Sequence, residues 1–186
     1  MFSRIESQPS GAIFSPCHRY RYVLWRSWNL SQPTILFIGL NPSTADVVTN
    51  DPTIRRCIGF AQAWGYGRLI ITNLFAYRTP QPQVLRQVAD PIGPDTDAWI
   101  KRLCRETIAL TAKINSTCNG EDRIMAIWGN AGGWQGRDRA ILTLIRPIVP
   151  QLYCLKVTQQ GQPAHPLYQA KTLQPQRYQP QSLENF

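Results

Sequence analysis

The 186-residue sequence has no apolar run near the ~18–20 residues that a membrane-spanning helix needs, and its first residues, Met-Phe-Ser-Arg-Ile-Glu-Ser, contain no apolar h-region. Neither a membrane association nor a signal peptide is therefore expected. There is no C-x-x-C: the five cysteines (Cys17, Cys57, Cys104, Cys118, Cys154) are odd in number and widely spread. That argues against a disulfide framework and a simple zinc knuckle, and fits a reducing, cytoplasmic setting. No P-loop, G-x-G-x-x-G, paired-carboxylate site or Cys/His nucleophile pair occurs. Acidic residues are scarce, 11 Asp+Glu against 20 Lys+Arg, for a net charge of +9. A basic, arginine-rich and aromatic-rich domain suits an anionic partner, with nucleic acid the leading candidate.

What is present reads as alternating strands and helices. Residues 12–29 alternate charged with aromatic or apolar residues, as in Arg19-Tyr20-Arg21-Tyr22, and predict a half-exposed antiparallel edge strand or hairpin. Buried-type strands are expected at 34–39, 68–75, 123–128 and 152–156. Helices are expected at 51–64, near 83–88, at 95–115 and at 137–145, with Asp51-Pro52 as a helix start. The fold class follows: a three-layer α/β (αβα) sandwich with a mostly parallel four-stranded central sheet, plus an N-terminal β hairpin. One domain is expected over 1–173, a monomer, followed by a Gln/Pro-rich tail over 174–186 that is poorly ordered or wrapped on the surface.

The most informative stretch is Thr34-Ile-Leu-Phe-Ile-Gly-Leu-Asn-Pro-Ser-Thr-Ala-Asp46. A buried strand stops at Gly39 and delivers Leu40, Asn41, Pro42, Ser43 and Thr44 to its carboxyl edge, where open α/β sheets build their sites. The same edge should receive Asn73 with Arg78, Asn130 after Trp128-Gly129, and Gln162-Pro-Ala-His165-Pro-Leu167. This inventory is amides, one histidine and backbone turns. Amides read hydrogen-bond patterns and orient water rather than act as strong bases. Such a site suits a reaction whose leaving group departs largely by itself while the protein stabilises charge. Asp51 reads best as a helix cap; Asp46 is open to binding a metal or orienting an arginine. His18 reads as a surface residue, and Asn130 as the organiser of a glycine turn with a lesser role toward nucleic acid.

Gly39-Leu-Asn-Pro-Ser43 resembles the GINPG-type water-activating motif in the mismatch-specific branch of the uracil-DNA glycosylase superfamily. Ile71-Thr-Asn-Leu-Phe-Ala-Tyr-Arg-Thr-Pro80 is similar to the "TN…RPP" segment of that superfamily. Ala126-Ile-Trp-Gly-Asn-Ala131 is similar to its LWG-x-x-A strand end, and Gly161-Gln-Pro-Ala-His-Pro-Leu167 to its HPSPL loop. The four segments occur in the same order over roughly 34–168. The full signature, LNPSTAD with NLFAYR, IWG and GQP-x-HPLY, resembles more closely still an uncharacterised bacterial and phage family that carries an LNPSTAD motif.

The resemblance implies a uracil-DNA glycosylase-like fold and hydrolysis of the N-glycosidic bond of a flipped, damaged or modified base. By that likeness Asn41 and His165 are catalytic: Asn41 positions the water, and His165 hydrogen-bonds the base O2 and stabilises the departing anion. Asn73 faces the Watson–Crick edge. Leu167 is the wedge, and Phe75 or Tyr77 the stacking face. Gly39, Leu40, Pro42 and Ser43 complete the substrate-binding set, while Arg55, Arg56, Arg78 and Asn130 reach the nucleic-acid backbone. No metal and no other cofactor are implied, and the cysteine spacing does not match the iron–sulfur ligands of the thermophilic branches. Asn41 stands where the most active branches carry Asp, Ser43 replaces a glycine, and the loop is HPLY rather than HPSP. Two other readings stay open: a non-catalytic module that recognises a modified base, and an enzyme of free nucleotides or nucleosides.

Overall fold

The computed structural model describes residue 5, residues 7–114 and residues 123–180. Cys118, the expected helix end at Asn115 and the last tail residues (181–186) lie outside them. Seven strands form one mixed sheet: β1 (Ser10–Phe14), β2 (Arg21–Ser27), β3 (Thr34–Gly39), β4 (Arg68–Asn73), β5 (Arg123–Ala126), β6 (Tyr153–Cys154) and β7 (Gln176–Arg177), in the order β1-β2-β4-β3-β5-β6-β7. Among the described residues the sheet is flanked by α1 (Pro52–Ala63), α2 (Thr96–Ile114) and α3 (Arg137–Ile145), with a 3₁₀ turn at Pro82–Gln87. Among the described residues, no helix is long and apolar enough to cross a membrane.

The four strands expected from sequence are the adjacent parallel ones, β4, β3, β5 and β6. The sheet nevertheless has seven strands rather than four. The N-terminal hairpin is no appendage, because β2 pairs antiparallel with β4 and extends the same sheet. Nor is β2 half-exposed, since every residue from Arg21 to Arg26 is buried. Its guanidiniums can lie inside because main-chain carbonyls receive them: Arg21 donates to Ala45 O at 2.7 Å, and Arg26 to Asp46 O at 2.7 Å and Trp25 O at 2.8 Å. A buried charge that is hydrogen-bonded in this way escapes most of its desolvation penalty.

Along β3 the side chains alternate between two cores. Ile35 and Phe37 pack with Ile54, Cys57 and Phe60 of α1, whereas Leu36 and Ile38 pack with Ile100 and Leu103 of α2 and Ile141 of α3. Helices thus cover both faces, which explains why the parallel strands are buried throughout. Asp51 caps α1, its Oδ1 accepting from Ile54 N at 2.8 Å, with Pro52 in the first turn. The Gln/Pro-rich tail enters the fold: β7 pairs with β6, and buried Tyr178 lies edge-on to Trp128 and donates to Gly161 O at 3.0 Å. Seen in chain order, the parallel strands run second, first, third, fourth, so the chain departs from β3 in opposite directions. That reversal opens a crevice at the carboxyl ends.

Candidate functional site

The turn after β3 and the turn after β4 are stitched to each other. Leu74 N donates to Gly39 O and Phe75 N to Leu40 O, both at 2.9 Å, and Thr79 N to Pro42 O at 2.9 Å. The Asn41 side chain completes the seam, its Nδ2 donating to Thr79 O at 2.9 Å and to Pro42 O at 3.0 Å. With both amide hydrogens committed, Asn41 offers its Oδ1 as an acceptor.

A cavity of about 350 Å³ opens at this edge, within the ~300–1,000 Å³ range of small-molecule sites. Gly39, Leu40, Asn41, Ser43, Asn73, His165 and Leu167, drawn from three separate stretches of sequence, all line it. Pro42 lies behind its wall. Ile54, Ile71, Ile127 and Pro80 supply apolar surface, and Arg21, Asp51 and Thr79 supply polar groups.

Asn73 is the most telling of these residues. It is only 5 % exposed, and its buried Oδ1 has no hydrogen-bond partner. An unsatisfied buried amide oxygen costs about 1–3 kcal/mol, so its place on a cavity wall calls for a ligand. Gly39 makes room for it: a Cβ there would lie 2.7 Å from Asn73 Nδ2.

His165 is held by its loop. Ala164 N donates to Lys156 O and Gly129 N to Pro163 O, both at 2.8 Å. Gly129, at φ +69, lies under the histidine, where an added Cβ would meet His165 Cβ at 3.5 Å. The imidazole Nδ1 accepts from Leu167 N at 3.3 Å, which leaves the proton of a neutral ring on Nε2. Burial lowers its pKa, opposed by the charge of Asp51. A neutral Nε2–H donor at the cavity wall is the consequence.

Arg21 was hidden in the sequence by the alternating Arg/Tyr pattern. It is 2 % exposed, lines the cavity, and its Nε has no partner. Burial brings its pKa down to about 10, with Asp51 pulling the other way, so it remains charged at neutral pH. The unbroken apolar run Tyr22-Val-Leu-Trp25 next to it was the available sign of a buried strand. Tyr168 was likewise missed. It is 86 % exposed at the cavity rim, whereas Leu167, the expected wedge, is half-buried in the wall.

Other expected residues lie elsewhere. Phe75 is fully buried against Trp134 (centroids 5.2 Å apart) and faces a separate hollow with Leu40 and Leu85. Arg56 is occupied: it donates to Pro166 O at 3.4 Å and to Gln169 O, clamping the loop that carries His165. Arg55 reaches Asn50 O at 2.5 Å and borders a shallow hollow with Lys171. Arg78 and Tyr77 line a hollow beside the main cavity. Asn130 accepts from Thr158 Oγ1 at 2.7 Å and thereby joins two loops. Asp46 forms a turn, its Oδ1 accepting from Val48 N and Thr49 N, and these bonds lower its pKa.

A cavity with amide acceptors, a neutral imidazole donor and a buried guanidinium can bind a flat, polar ring and stabilise negative charge developing on it. Comparison with known proteins matches residues 21–167 to the family described as "Protein of unknown function (DUF1643)", and the chain belongs to that family. Neither the curated proteins nor the solved structures give a match.

Proposed function

We propose that the protein is a DNA base N-glycosylase-like enzyme that takes a flipped, damaged or modified base into the cavity beside Asn73. The unpartnered Oδ1 of that buried residue carries the reading, because an amide fixed in a cavity wall presents an acceptor and a donor to a base edge. Asn41 Oδ1 accepts a hydrogen bond from the attacking water, and His165 Nε2–H faces the leaving base. As the C1′–N bond breaks, its electron pair leaves with the base, the water oxygen bonds to C1′, and the proton that the water loses passes to the departing base anion. Neutral His165 and charged Arg21 stabilise that anion where water is excluded. The likeness of four ordered segments to the uracil-DNA glycosylase superfamily supports the same reading, including its fold, and the net charge of +9 suits a polyanion.

One observation favours a second reading, a module that recognises a modified base without turnover. Among the described residues lining the cavity the one carboxylate, Asp51, is turned to capping α1 through Oδ1, which ties its orientation to the helix start rather than to the water.

Oligonucleotides carrying uracil, thymine mismatches, hypoxanthine or hydroxymethyluracil, single and double stranded, test the proposal. Alkaline scission at one of these bases, abolished by Asn41→Ala, is the expected result. Gel-shift binding without scission supports the recognition module, and neither binding nor scission refutes a DNA substrate.

A further inference from the structure

Next to the base cavity lies a second hollow of about 380 Å³, lined by His18, Arg19, Thr44, Tyr77 and Arg78 and sharing Ser43 and Pro80 with the first. Its chemistry differs from that of its neighbour. Two arginines and three hydroxyl-bearing residues line it, and no carboxylate does. Among the described residues neither arginine pairs with an acid; the ion pairs found are Arg102–Glu106 and Arg137–Asp97. Arg78 is held in place, its guanidinium 4.6 Å from the centre of the Phe14 ring and its Nη1 donating to His18 O at 3.2 Å, while its buried Nε has no partner. The hairpin turn is locked around it. Arg78 N donates to Arg19 O at 3.0 Å, and His18 adopts the left-handed region at φ +56, a conformation that costs a non-glycine residue energy.

We propose that this hollow is a phosphate subsite for the nucleotide whose base enters the adjoining cavity, with Arg19 and Arg78 supplying charge-assisted hydrogen bonds and Ser43, Thr44 and Tyr77 supplying hydroxyl donors; the assignment rests on the base-reading function proposed above. A planar guanidinium fork suits phosphate oxygens, and held donors bind them at little entropic cost. The shared wall at Ser43 and Pro80 places phosphate and base on one nucleotide or on adjacent units of one strand.

The sentinel of this site is Cys17. It is exposed, its Sγ lies 3.3 Å from Ser15 Oγ, and the Ser15 hydroxyl and Arg19 lower its pKa to about 7. A phosphate dianion on Arg19 disfavours the neighbouring thiolate and slows its alkylation.

Calorimetric titration of the full chain with inorganic phosphate and with 2-deoxyribose 5-phosphate tests the subsite without a base. Deoxyuridine, its 5′-monophosphate and a short oligodeoxynucleotide then distinguish a free nucleotide from a strand. Binding of the base-free probes is expected, weakened at least about tenfold in the Arg19→Gln/Arg78→Gln double variant. Arg19 is exposed, so Arg19→Gln alone leaves the fold intact and should still weaken binding. Phosphate should also slow Cys17 alkylation when chloride at equal ionic strength does not. If the base-free probes bind while no base-containing strand is cleaved or held, the subsite stands and the base-reading function falls. The subsite is refuted if those probes do not bind, bind the double variant equally, or leave Cys17 alkylation unchanged.

Discussion

At the scale of single residues, the site depends on how Asn73, His165 and Gly39 are held. Replacing Asn73 by Asp exchanges an amide donor for an acceptor, so base preference should change when scission or binding is compared across bases; an unchanged ranking counts against base reading. Gly39→Ala would press a methyl group against Asn73 Nδ2. It should cost about 1–3 kcal/mol in denaturant unfolding and depress activity with it. The lowered pKa of His165 has a defined sign in stability. Above the ordinary imidazole value of 6.5 the ring is neutral in both states and exacts no penalty. As pH falls below 6.5 the unfolded chain binds the proton first, so folding stability declines until the folded pKa is passed. His165→Gln should flatten that decline in a pH series of thermal melts. The meeting of Asn41, Asn73 and His165 on one cavity was legible in the sequence because each lies at or beyond the carboxyl end of a parallel strand, and those ends converge. Arg21 was not, because a charge in an alternating run normally marks a solvent face, and only the fold reveals the carbonyls that receive it.

At the scale of elements, the four parallel strands and three helices were legible from apolar runs and from the Asp51-Pro52 start. The outermost strand, β7, was not. β7 is two residues long, too short for any periodic signal, and the Gln/Pro composition of the tail concealed Tyr178, the buried side chain that anchors it. Tyr178 packs against Trp128, whose indole Nε1 donates to Gln162 Oε1 at 2.8 Å, and Gln162 Nε2 donates to Asp138 Oδ2 at 2.6 Å. This chain of contacts fixes the 157–163 turn on which the His165 loop rests. Tyr178→Ala should therefore destabilise by about 3 kcal/mol in chemical unfolding and raise hydrogen exchange at Ala164 and His165. Destabilisation without that local exchange would separate the tail from the site. Arg56 shows the same gap between residue type and role. An arginine on an exposed helix reads as a phosphate contact, yet carbonyls of the 166–169 loop occupy it.

At the scale of the whole molecule, the excess of cations becomes specific only through its placement. Two basic hollows, one with Arg19 and Arg78 and the other with Arg55, Arg56 and Lys171, adjoin the cavity beside Asn73, through Ser43 and through Leu167. A strand crossing the cavity would meet both. Oligonucleotide affinity should fall linearly on a log–log plot against salt, and Arg19→Gln/Arg78→Gln should reduce the slope by about 1–2, as for the loss of one or two phosphate contacts. The central claim is that a base lies against Asn73. The most direct measurement is NMR of the Asn73 side-chain amide, assigned by its disappearance in Asn73→Asp, during titration with a uracil-containing oligonucleotide. This resonance and the His165 imidazole should shift together while the distant Gln151 amide stays still. A bound oligonucleotide that leaves the Asn73 amide unmoved would contradict the claim.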